Sequence, residues 1–307
     1  MGNLGLVLVC LVVGFFARRT GRFPKATPDV LGRIVIDVAL PALTVITIHE
    51  LRIAPGAAHE LTLLLATPFV VFALSVALLA VARRVFALSR ETVACLLLTA
   101  GLANTSFVGF PLVEALFGRE GLARAVVVDQ GQFLVLATFG IASASLGKGE
   151  ARPSARALAG RLVVFPPFLA FVAALALRSV ALPAALVLVL EKLAALVVPL
   201  ALIAVGFQLE LDRRVLAAER RNLILGLGLR LVVAPAVIAA LLHFAYGPLS
   251  LAAEVAIAES AMAPMVTGAV LAMESKLEPR LATAMVALGV PLSLVSVPLW
   301  ASLSARL

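Results

Sequence analysis

The sequence predicts an all-α polytopic membrane protein, and three observations carry that prediction. Of 307 residues, 63% are hydrophobic and only 14% charged, whereas a soluble domain is roughly half apolar and about a quarter charged. The mean hydropathy is +1.12. The apolar residues come in long unbroken runs without two-residue alternation, and most charges fall in short stretches between them. Inside hydrocarbon each backbone amide needs a partner within the segment, so only helices or closed barrels span a bilayer. Runs that do not alternate are helical.

Ten apolar segments follow, each near the ~20 residues a spanning helix needs. They cover roughly 2–17, 29–49, 60–82, 91–117, 121–146, 158–178, 183–208, 221–243, 249–273 and 279–304. The first has no charged stretch ahead of it and reads as a helix rather than a cleaved signal. The second contains Pro41. The fourth is interrupted between Gly101 and Pro111, and the fifth carries Asp129-Gln130-Gly131-Gln132. The seventh contains Pro199, the eighth Gly226, Gly228 and Arg230, and the ninth is interrupted around Glu259 to Pro264.

The longest polar stretch lies near mid-chain. It divides the sequence into an N-terminal five-helix repeat (1–147), a linker (148–157) and a C-terminal five-helix repeat (158–307). A shift of about 158 residues lays Pro41 on Pro199 and brings the break at Asn104–Pro111 near Glu259–Gly268. Since five is odd, the halves have opposite orientations, as in the inverted-topology repeats of transporters.

The basic residues orient the chain. One side takes Arg18, Arg19, Arg22, Lys25, Arg83, Arg84, Arg90, Lys148, Arg152, Arg156, Arg161, Arg213, Arg214, Arg220, Arg221, Lys276 and Arg280. The other takes only Arg52, Arg119, Arg124, Arg178, Lys192 and Arg306. By the positive-inside rule the linker is cytoplasmic and both termini face outward. The net charge of +8 is thereby a matter of membrane orientation, and nucleic acid is not expected as a partner.

Cys10 and Cys95 lie inside apolar runs, and His49, His59 and His243 lie at segment ends. None has metal-ligand or catalytic spacing, and no nucleophile–base motif or phosphate loop is present, so no enzyme activity and no resident cofactor are expected.

The two interruptions carry the functional expectation. Gly101-Leu102-Ala103-Asn104-Thr105-Ser106-Phe107-Val108-Gly109-Phe110-Pro111 gathers small and polar residues where a span should be most apolar. Pro111 lacks an amide donor and clashes with a preceding carbonyl. The counterpart is Glu259-Ser260-Ala261-Met262-Ala263-Pro264, with a carboxylate at mid-segment. An intramembrane acid costs several kcal/mol when unpaired; it reads as a functional group, or else as a buried structural or protonated acid. Unwound backbone at this depth is tolerated only where it lines a site. Half-helix N-termini suit a carboxylate and half-helix C-termini a cation. The expectation is a small organic anion, with Na⁺ or H⁺ as a coupling ion. Asp129, one or two turns from the outer end, reads equally as a proton or ion site and as a structural acceptor, with snorkelling as an alternative. Glu114 reads as solvated or structural, Gln208 lies near a segment end, and Arg230 reads as an acid's partner, an anion ligand or a side chain snorkelling to the surface.

At these residues the sequence resembles the auxin efflux carrier family, which shares a broad superfamily with the bile acid sodium symporters. The resemblance spans nearly the whole chain. It rests on Gly14-Phe15-Phe16-Ala17-Arg18-Arg19-Thr20-Gly21, Val38-Ala39-Leu40-Pro41-Ala42-Leu43, Asn104-Thr105-x-Phe107-x-Gly109-x-Pro111, Val127-Val128-Asp129-Gln130-Gly131, Glu259-x-Ala261-Met262-Ala263-Pro264 and Pro298-Leu299-Trp300. It implies broken helices 4 and 9 crossing at the substrate site. Helices 1, 2, 6 and 7 would form a scaffold, and helices 3–5 and 8–10 a transport domain moving in an elevator-like manner. It also implies a multi-pass protein of the bacterial inner membrane, a homodimer among lipids.

The substrate-binding residues so implied are Asn104, Thr105, Ser106, Gly109, Pro111, Met262, Ala263 and Pro264, with Asn104 on the substrate carboxylate. The coupling residues are Glu259, Asp129, Gln132 and Ser260, with Na⁺ near Glu259 as one form of coupling. The third segment lacks the Asp and Lys that plant auxin exporters carry there, so a small carboxylate other than auxin is expected. A channel and a sensor or receptor on a transporter fold are the competing readings.

Overall fold

The computed structural model describes residues 2–51, 58–151, 154, 156, 160, 165–178, 180–209 and 212–307. Arg52, Arg152, Arg161 and residues 158, 159 and 162–164 of the sixth expected segment lie outside the described residues. The described chain is helical and without strands: α1 (Gly2–Arg19), α2 (Thr27–Glu50), α3 (Ala58–Phe86), α4 (Arg90–Thr99), α5 (105–117), α6 (119–147), α7 (Pro166–Ala176), α8 (Ala184–Gln208), α9 (Arg220–Tyr246), α10 (Leu251–Ser260), α11 (Val266–Glu274) and α12 (Pro279–Ser304). A six-residue helix, Arg213–Ala218, precedes α9. Among the described residues six helices are long and apolar enough to cross a membrane: α2, the main part of α3, α5 with α6, α8, α9 and α12.

α5 and α6 run on as 43 helical residues. A straight helix of that length would reach about 65 Å, twice the hydrocarbon thickness. Gly118, at φ +67°, breaks it. This is left-handed backbone that costs glycine little.

The fourth and ninth expected segments are each two helices with a gap. α4 and α10 are alike: both have ten residues, a serine N-cap and a glutamate in the first turn. Ser89 Oγ accepts from the Thr92 amide at 2.9 Å, and Ser250 Oγ from the Ala253 amide at 3.3 Å. Such caps satisfy one of the orphan amides of a helix start.

Three helices widen into a π-turn two residues before a proline: Val35–Ala39 before Pro41, Thr105–Gly109 before Pro111, and Leu229–Val233 before Pro235. The proline lacks its amide donor and its ring crowds the carbonyl four residues back, so the ladder slips to the next residue. The bond from the Gly109 amide to the Asn104 carbonyl, at 3.0 Å, has that five-residue spacing.

α1 packs along the second half of α8, where Gly14 meets the Ile203 carbonyl and Gly206 the Leu11 carbonyl without room for a side chain. α2 packs on α7 and on the first half of α8. α10 is enclosed by α3, α9, α12 and the α5–α6 stretch, and α11 lies against α4 and α12. The outward faces of α1, α3, α7 and α8 are rich in exposed Val, Leu and Phe, as lipid contact requires.

Candidate functional site

The two gaps meet at the centre of the helical packing. The Asn104 amide donates to the Ala263 carbonyl at 2.9 Å and the Met265 amide to the Leu102 carbonyl at 3.1 Å. Ala103 and Pro264 thereby form an antiparallel bridge. These bonds satisfy backbone groups that the breaks would otherwise leave orphaned in a dry interior. Leu102, Ala103, Met262 and Ala263 are buried around them.

Asn104 caps α5, its Oδ1 accepting from the Phe107 amide at 3.2 Å. Its Nδ2 is buried and has no hydrogen-bond partner among the described residues. The next two residues turn their hydroxyls onto α6: Thr105 and Ser106 both donate to Asp129 Oδ1, Ser106 at 2.9 Å. Asp129 is buried. It lies ten residues into α6, about 15 Å along the axis, and does not snorkel. Gln132, one turn on, is buried with Nε2 unpartnered, and Gln130 Nε2 donates to the Val126 carbonyl at 3.4 Å.

Glu259, near the end of α10, is 1% exposed, and neither carboxylate oxygen has a hydrogen-bond partner among the described residues. It lies against the start of α5: a Cβ built on Gly109 would stand 2.7 Å from Glu259 Oε2 and 2.9 Å from Oε1. Gly109 is thus the clearance that lets α10 place an acid on the first turn of α5. The charged groups acting on Glu259 are Asp129 and Arg230.

Arg230 is the residue that sequence reasoning undervalued. It is 1% exposed, not snorkelling. Nη1 donates to the Ala100 carbonyl at 3.2 Å, and Nη2 to the Ser260 carbonyl. Those carbonyls close α4 and α10, the half-helices that end at the gaps. One guanidinium therefore sits on the partial negative charge of two helix C-termini. The signal was present, since an arginine inside an apolar run needs a partner, but its partners lie 130 and 30 residues away. Ser260 enters through its carbonyl, while its hydroxyl donates to Ile257 at 2.7 Å.

A cavity of about 130 Å³ adjoins the start of α5, lined by Asn104, Ser106, Phe107, Asp129, Phe133 and Phe165 together with Ile36, Leu40, Leu136 and Met265–Thr267. Phe133 and Phe165 stack at 3.6 Å between centroids. Of the expected binding residues, Asn104 and Ser106 line this cavity. Met262, Ala263 and Pro264 do not; their place is taken by Met265, Val266 and Thr267. The phenylalanines left no trace in the sequence, where they resemble any other core aromatic. A second cavity, of about 570 Å³, reaches Phe110 and Pro111 from between α1, α2 and α8; Glu114, Arg119 and Glu191 line it. Among the described residues no cluster of three or more His, Cys, Asp or Glu is placed to hold a metal.

This architecture has relatives. The family described as membrane transport protein matches residues 1–301. The chain belongs to this family. The match bears out the resemblance to the auxin efflux carriers over essentially the full length. An uncharacterized transporter of Methanothermobacter thermautotrophicus is 29% identical over 295 residues, covering 96% of this chain and 95% of that protein. An uncharacterized transporter of Methanocaldococcus jannaschii is 28% identical over 214 residues, covering 66% and 67%. The protein is a membrane transporter by family.

Proposed function

We propose that the protein is a secondary transporter that moves a small organic carboxylate by elevator-like alternating access. The observation that carries this reading is the meeting of the two gaps, with Asn104, Ser106 and Asp129 on one cavity beside it. Irregular backbone at membrane depth has a use when it lines a site. The carboxylate binds toward Asn104 and the first amides of α11.

Ten spans in two inverted repeats, 1–147 and 158–307, give this arrangement its symmetry. The matching serine caps of α4 and α10 and the reciprocal packing of α1 on α8 and α7 on α2 support it. In this reading α1, α2, α7 and α8 form the scaffold of a homodimer in the bacterial inner membrane, and the termini face outward. The larger cavity between scaffold and α5 is the outer approach.

Coupling falls to Glu259, with its two unpartnered oxygens. A hard cation such as Na⁺ would draw on helix-end carbonyls as well, and Arg230 already holds those of Ala100 and Ser260. The proton is therefore the favoured coupling ion.

The test is flux in proteoliposomes with a panel of small carboxylates under imposed H⁺ or Na⁺ gradients. We expect substrate movement driven by a proton gradient and lowered at least tenfold by Asn104→Ala. Flux that is indifferent to Asn104→Ala would sink the crossing as the binding site, and unitary current steps in a planar bilayer would replace the transporter with a channel.

A further inference from the structure

Among the described residues the 130 Å³ cavity has one charged side chain in its wall, and it is an acid. Asp129 is 7% exposed, and both recorded hydroxyl bonds fall on Oδ1; Oδ2 accepts no hydrogen bond from the described residues. Among the described residues no lysine or arginine lines the cavity. Arg230 is spent on the carbonyls of Ala100 and Ser260. Val266 and Thr267, the first residues of α11, line the same cavity, and their N-cap Met265 offers no side-chain acceptor. Their amides are among the orphans of a helix start, the natural seat of a carboxylate.

The cavity therefore has an anion-seeking end and an anion. A bare carboxylate would satisfy the first and be repelled by the second at close range in a poorly screened interior. A molecule carrying a positive centre a few bonds from its carboxylate satisfies both. The aromatic lining suits that centre: Phe107, Phe133 and Phe165 line the same cavity as Asp129, and ring faces attract ammonium groups within about 6 Å. The volume limits the ligand to a small molecule.

We propose that the cavity beside α5 recognises a small zwitterion, with its carboxylate on Asn104 and the start of α11 and its ammonium on Asp129 among the three phenylalanines. This rests on the reading of the cavity as the transported carboxylate's site and narrows its substrate class to short amino acids and betaines. Asp129 is then a specificity-determining residue.

The experiment uses matched probes on the purified full chain: propionate against alanine, acetate against glycine, and 3,3-dimethylbutanoate against trimethylglycine. Binding is read by thermal shift and by flux in proteoliposomes. Alanine, glycine or trimethylglycine is expected to bind at least tenfold tighter than its amine-free counterpart. Asp129→Asn is expected to erase that preference, and Asp129→Glu to keep part of it. Should Asp129→Asn fail to fold, the preference of the wild-type protein within each pair decides alone. An amine-free carboxylate bound as tightly as its amine-bearing partner overturns the zwitterion, and so does a preference that survives Asp129→Asn. If those bare carboxylates also move in an Asn104-dependent way, carboxylate transport stands and only the zwitterion is lost. If no probe of either kind binds, both readings fall.

Discussion

The two gaps occupy corresponding places in the chain, yet they are chemically unlike. At the first, the polar side chains follow the break: Asn104 caps α5, and Thr105 and Ser106 reach Asp129 on a cavity wall. At the second, they precede it: Glu259 and Ser260 end α10, and α11 begins on Met265 with no side-chain cap. The first gap faces a space a ligand can enter. The second is packed shut around Glu259 and Arg230, each 1% exposed. The two breaks thus differ: the first leaves Asn104, Ser106 and Asp129 on a cavity, and the second buries Glu259 while Arg230 ties the ends of α4 and α10 together.

The sharpest way to break this comparison is at Arg230. Arg230→Met removes donors from two helix-end carbonyls and the nearby cation from Glu259. Stranding a buried charge in this way costs about 3–5 kcal/mol. A large fall in melting temperature is expected, mostly restored when Glu259→Gln is added. A melting temperature unchanged by Arg230→Met would remove the structural role given to the second gap.

Gly268 comes next. A Cβ there would stand 2.0 Å from the Leu98 carbonyl, a backbone atom of α4 with nowhere to retreat. Gly268→Ala should destabilise by about 1–3 kcal/mol, as overpacking does. Gly109→Ala meets only the end of the Glu259 side chain, so it should cost less stability but alter the ion dependence of flux. Equal melting losses from the two would argue that Glu259 is as rigidly held as backbone.

A smaller effect is expected from Thr105→Val, which takes one of two donors from Asp129 Oδ1. A bond to a charged group is worth about 1.5–3 kcal/mol, and the Ser106 bond to the same oxygen remains, so the loss falls at the low end. Substrate affinity, measured by thermal shift, should fall more than for the same change at Thr99, whose hydroxyl bonds only the Cys95 carbonyl.

The smallest concerns Trp300, the single tryptophan. Its Nε1 donates at 3.0 Å to the Leu231 carbonyl in the π-turn that carries Arg230. Trp300→Phe should cost about 1 kcal/mol and leave substrate affinity unchanged. A change in affinity would mean that the π-turn of α9 reports directly to the first gap.

Much of this was legible in the chain. Apolar runs announce spanning helices because their length and composition are local properties. The gaps were legible for the same reason, since Pro111, Pro264 and the small residues around them disrupt helical hydrogen bonding wherever they occur. Asn104, Ser106, Asp129 and Glu259 stood out because polar groups are costly at that depth. Less legible was which of them share a space: Met262 to Pro264 look like the twin of Asn104 to Ser106 but pack away from the cavity.

The sequence by itself determined a helical membrane protein with two paired breaks and polar residues beside them, because hydropathy and backbone chemistry act over a few residues. Only the tertiary structure decided that Arg230 would close α4 and α10 together, that Glu259 would rest on Gly109, and that Phe165 would stack on Phe133 beside Asp129. Those are contacts between residues 30 to 150 positions apart. No local propensity encodes them; they follow from where packed helices bring their side chains.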